Sequence, residues 1–80
     1  MNRAVCWGPW EAGIDPAERK ARLRALRAVV RAYAGPMGAD LAQALRAAET
    51  DPSALGRASD LLAHLPTVPA RHVLAAYARL

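Results

Sequence analysis

Four cations in this 80-residue chain, Lys20, Arg24, Arg27 and Arg31, are spaced four, three and four residues apart. On a helix they fall within about 60° of one another and run for roughly 16 Å along the flank of an apolar stripe. Such a basic ridge suits a phosphate backbone or an acidic protein surface. A plain solvated helix face competes with that reading, because like charges four residues apart repel only mildly. Glu18, the nearest acid along the chain, falls on a different face of the same helix.

A second candidate is aromatic. Trp7 and Trp10 bracket Gly8 and Pro9 in the N-terminal stretch. Each tryptophan can bury about 200 Å² and needs a partner for its indole N–H. Two readings stay open: the arm folds back to fill a groove between helices, or the tryptophans anchor the chain in a pocket on another protein. A third candidate is the pair Arg71 and His72. The hairpin Ser59–Leu80 resembles a helix-turn-helix in outline, with Val68 and Val73 at its turn and second-helix core positions. Arg71 and His72, at the start of the second helix, are then the base-contacting candidates. Thr67 stands where glycine is usual in that turn, and Pro66 and Pro69 stiffen it.

The remaining titratable groups point to no reaction. Arg57, Asp60 and His64 share one polar ridge at spacings of three and four, which suits exposed ion pairing. His72 is expected in solvent. Cys6, a histidine and Asp60 are the parts of a nucleophilic set, but a chain this short is expected to have little room for a substrate cleft of about 300 Å³ or more. No C-x-x-C or H-E-x-x-H pattern occurs, so neither a metal nor another cofactor is expected. The glycines are isolated, so no phosphate-cradling loop is foreseen.

Eighty residues make one domain, able to bury only about 60–65% of its unfolded surface. Twenty residues are alanine, there is no phenylalanine, and the large apolar set is led by ten leucines. A core of that size supplies only about 3–5 kcal/mol, which favours self-association or docking on a larger protein. Net charge is +4, with 11 Lys and Arg against 7 Asp and Glu. Basicity admits a nucleic-acid partner, although ten arginines to one lysine in an Ala-, Gly- and Pro-rich chain also fit simple compositional bias. A single cysteine excludes an internal disulfide. No apolar run follows Arg3 as a secretory leader would require, and Leu61–Ala70 is too short and proline-broken to span a bilayer. A cytoplasmic location is therefore expected, with no membrane partner and no small-molecule substrate.

Helical elements must position these side chains. Residues 1–14 read as an irregular Trp-containing arm, because Gly8, Pro9 and Gly13 oppose regular structure. Residues 15–80 read as the helical domain. Asp15 as cap, Pro16 at the first helical position and Glu18 at the third start a helix that runs to about Ala34, stopped by Gly35 and Pro36. Leu23, Leu26, Val30 and Tyr33 form its apolar stripe. A second helix over about 37–48 turns Met37, Leu41, Ala44, Leu45 and Ala48 inward. Asp51 and Pro52 are expected to restart the chain as a third helix to about Leu65, burying Ala54, Leu55, Ala58, Leu61, Leu62 and Leu65. A fourth, about 69–79, buries Val73, Leu74, Ala76, Tyr77 and Leu80. The expected architecture is all-α: a compact three- to four-helix bundle with an irregular N-terminal arm. The function that fits best is a non-catalytic protein–protein interaction module, such as an adaptor, regulator or accessory subunit. The alternative is a small nucleic-acid-binding protein using the Lys20–Arg31 ridge, alone or together with the helix-turn-helix-like C-terminal hairpin.

Overall fold

The computed structural model describes residues 7–80 and is an all-α bundle. A 3-10 turn, Gly8–Trp10, precedes α1 (Pro16–Tyr33). A second 3-10 turn, Gly35–Gly38, leads into α2 (Ala39–Ala48), followed by α3 (Ala54–Ala63) and α4 (Thr67–Ala78). Among the described residues there is no strand. Cys6 lies outside the described residues.

The α1 boundary follows from its cap. Asp15 accepts a hydrogen bond from the Ala17 amide at 2.9 Å, and Pro16 fills a position whose N–H has no helical acceptor. Gly35, in the left-handed region at φ +55°, turns the chain after the helix. Gly38 then allows α2 to approach α1 closely. A methyl group there would sit 2.6 Å from Val30 Cγ1 and 2.8 Å from the Ala34 methyl.

The core follows from this approach. Leu23, Leu26 and Val30 of α1, Leu41 and Leu45 of α2 and Val73 of α4 are almost wholly inaccessible. Burial on that scale stabilises the chain by roughly 1.5–3 kcal/mol per large side chain. α2 lies on α1, α3 lies on α2, and α4 lies on α1. α3 and α4, though consecutive in the chain, lean on these different helices rather than on each other.

Several expected positions differ. α3 begins at Ala54 rather than Pro52, because the Asp51 carboxylate accepts from both the Ser53 amide and its hydroxyl in a local turn. These bonds also hold the Asp51 carboxyl below its usual value, the hydroxyl contributing most. Helix α4 starts two residues early, at Thr67. Met37 falls in the 3-10 turn and is exposed, as is Tyr33 on the far end of α1. The largest departure is in the C-terminal half. Of the residues expected inside α3, only Ala58 is buried; Ala54, Leu55, Leu61, Leu62 and Leu65 are half-buried. On α4, Leu74 is 44% exposed and Leu80 75%, so neither belongs to the core.

Candidate functional site: an apolar groove between α3 and α4

Because α3 and α4 diverge, a groove of about 550 Å³ opens between them. Residues 67, 70, 71 and 74 are spaced three, one and three apart and therefore share a face of α4. Thr67, Ala70, Arg71 and Leu74 form one wall, and Ser59, Asp60, Leu62, Ala63 and Leu65 form the other. The small side chains of Ala63 and Ala70 leave room between the leucines. The cleft expected to be absent from so short a chain is thus present, and its lining is mainly apolar.

Trp7 and Trp10 complete the groove. Trp10 is 9% exposed and counts among the core residues, and its Nε1–H donates to the Leu55 carbonyl at 2.9 Å. Its position corresponds to the arm folding back, so Trp10 is not a free anchor. Trp7 is half-buried, edge-on to Trp10 at 5.3 Å and to Tyr77 at 5.7 Å. Gly8 passes over Tyr77 at φ +52°, where a Cβ would lie 3.2 Å from the phenol oxygen. Burial pushes the Tyr77 phenol above its ordinary value.

Two arginines of α1 hold this segment in place. Arg19 donates to the carbonyls of Pro9 (2.8 Å) and Glu11 (3.2 Å). Arg22 donates to the Gly8 carbonyl (3.1 Å) and to the carboxylates of Glu11 (2.6 Å) and Glu18 (2.8 Å). The Glu11 bond, then the Glu18 bond, raises the Arg22 pKa further above its ordinary value. Neither arginine stood out in the sequence. The Glu18–Arg22 spacing of four was the one legible signal, since contacts to backbone carbonyls leave no pattern in side-chain types.

Arg71 lines the groove, whereas His72 is exposed on α4 beside it. The helix-turn-helix comparison fails at Val68, which lies inside α4 and is 61% exposed instead of packing at a turn. The expected ion pairing of Asp60 is also absent. No salt bridge joins Arg57, Asp60 and His64 among the described residues; instead the His64 Nδ1–H donates to the Asp60 carbonyl at 2.7 Å. Among the described residues no three His, Cys, Asp or Glu side chains come together to hold a metal ion.

Lys20, Arg24, Arg27 and Arg31 lie on the other side of α1, against α2. Glu49, at the end of α2, accepts from Arg24 at 2.9 Å and neutralises part of the ridge. Arg46 of α2 joins the cations, a residue the reading of one helix in isolation missed. Among the described residues no helix is long and apolar enough to cross a membrane. Compared with known protein families, curated proteins and solved structures, the chain matches none.

Proposed function

We propose that this chain is a non-catalytic protein–protein interaction module whose α3–α4 groove receives an amphipathic helix from a partner protein. The observation that carries this reading is the divergence of α3 and α4, which leaves Leu62, Leu65, Leu74 and Trp7 lining an open channel. An apolar helix laid in such a channel covers leucines that the chain's own helices leave half-exposed. Alanines on both walls permit close approach, and leucines and a tryptophan supply contact area.

The groove also sets the partner's polarity. Arg71 stands on the α4 wall and Asp60 on the α3 wall, and neither forms an ion pair among the described residues. The matching helix carries an acidic residue on the side facing α4 and a basic one on the side facing α3.

The test is affinity capture from nuclease-treated extract of the chain's own host, comparing the native protein with Ala63→Glu/Leu74→Glu. Both positions are exposed and line the groove. The expected result is a stoichiometric protein held by the native chain and lost from the double variant. Equal capture by both forms would refute the groove as the docking site. Light scattering of the purified chain addresses a second copy as occupant: a groove-dependent dimer would replace the partner helix with self-association.

A further inference from the structure

The α1–α2 side of the molecule carries a second surface of opposite character. Arg27, Arg31 and Arg46 line one cleft of about 380 Å³ together with Gln43, Gly35, Pro36, Ala39 and Ala42. Lys20, Arg24, Gln43 and Arg46 line an adjoining one that also holds Glu49. Gln43 and Arg46 border both, so the two clefts adjoin in one shallow basic channel along α1 and α2. From Lys20 to Arg31 it extends about 16 Å along α1.

We propose that this channel binds the phosphate backbone of duplex nucleic acid without reading base sequence. Two acids near the ridge are engaged: Glu49 holds Arg24, and Glu18 holds Arg22 on another face. Asp40, in the first turn of α2, forms no salt bridge among the described residues and lines neither cleft. Lys20, Arg27, Arg31 and Arg46 form no salt bridge among the described residues, which leaves four cations for a ligand. Guanidinium forks match phosphate oxygens in paired hydrogen bonds. Each strand of a duplex presents about one phosphate per 3.4 Å of the helix axis, so a channel of about 16 Å spans roughly five phosphates of one strand.

The lining excludes two other occupants. No aromatic side chain is present on which unpaired bases would stack, as single-strand binding requires. Apart from the stems of its cations, the apolar part of the channel lining is glycine, proline and alanine, so an acidic protein finds no large apolar anchor there. The surface is independent of the α3–α4 groove, and each of the two proposals survives the failure of the other.

The experiment is fluorescence anisotropy with labelled 20-base-pair DNA duplexes of two unrelated sequences, titrated between 50 and 200 mM salt. Four phosphate contacts set the slope of log affinity against log salt near about −3.6, the same for both duplexes. Arg31 and Arg46 are exposed, so Arg31→Gln/Arg46→Gln should keep the native melting curve while making the slope shallower by about 2. Absence of binding at 50 mM salt would overturn the proposal. So would a slope unchanged in the variant, or a polyglutamate peptide competing as well as DNA at equal charge.

Discussion

The α1–α2 half and the α3–α4 half of this bundle spend similar side chains differently. Between α1 and α2 the leucines are sealed: Leu23, Leu26, Leu41 and Leu45 are almost wholly inaccessible, and Gly38 brings the helices into close contact. Between α3 and α4 the leucines are only partly covered, and the buried residues are Ala58, Val73 and Ala76. Each of these helices leans on the sealed pair rather than on the other, so the space between them stays open. Apolar composition therefore says little about how a leucine acts. A neighbouring helix that closes over it converts its area into stability, and one that diverges leaves a binding surface.

The largest effect that separates the two halves is a truncation in the sealed one. Leu45→Ala should lower stability by about 2–5 kcal/mol, measured by urea unfolding, since Leu45 is wholly inaccessible and its neighbours fill such a space only in part. A loss below about 1 kcal/mol would show that this half is not the tightly packed one. Next is Gly38→Ala, where the added methyl meets Val30 and Ala34 and alanine is also the poorer N-cap for α2, so the change should cost about 1–3 kcal/mol. An unchanged unfolding midpoint would mean that the α1–α2 contact yields easily.

A smaller effect sharpens the contrast from the tryptophan side. The folded-state pKa of Tyr77 lies above its unfolded value of about 10. Its contribution is fully present below pH 10 and is lost as pH rises through the folded value. Melting temperature should therefore fall above pH 10 in the native chain, and fall less in Tyr77→Phe. Identical alkaline profiles would place the phenol in ordinary solvent.

The legible parts of this fold are those governed by local chemistry. Asp15, Pro16 and Gly35 bound α1 because capping and left-handed turns depend on neighbours in the chain. The Leu41, Ala44, Leu45 and Ala48 face of α2 was legible because α2 packs against both α1 and α3, which together bury its apolar stripe. The start of α4 was misplaced because Pro69 was read as the first helical residue. Its missing N–H costs nothing in the first turn, where no N–H has a helical acceptor, and the first helical bond runs from the Ala70 amide to the Pro66 carbonyl. The groove was not legible at all. Leu61 and Leu62 project about 100° apart, and periodicity cannot say which of those directions another helix will cover. The same limit hid Arg46, which reaches the basic channel only because α2 lies beside α1.

An α3–α4 leucine surface that is open and does not hold the chain together is tested most directly by thermal melting of Ala63→Glu/Leu74→Glu. Each exposed substitution of this kind changes stability by about 0.5 kcal/mol or less, so the two together should leave the melting temperature within about 8 °C of the native value. A fall of about 10 °C or more, comparable to that of Leu45→Ala, would show that α3 and α4 close on each other and that no groove exists.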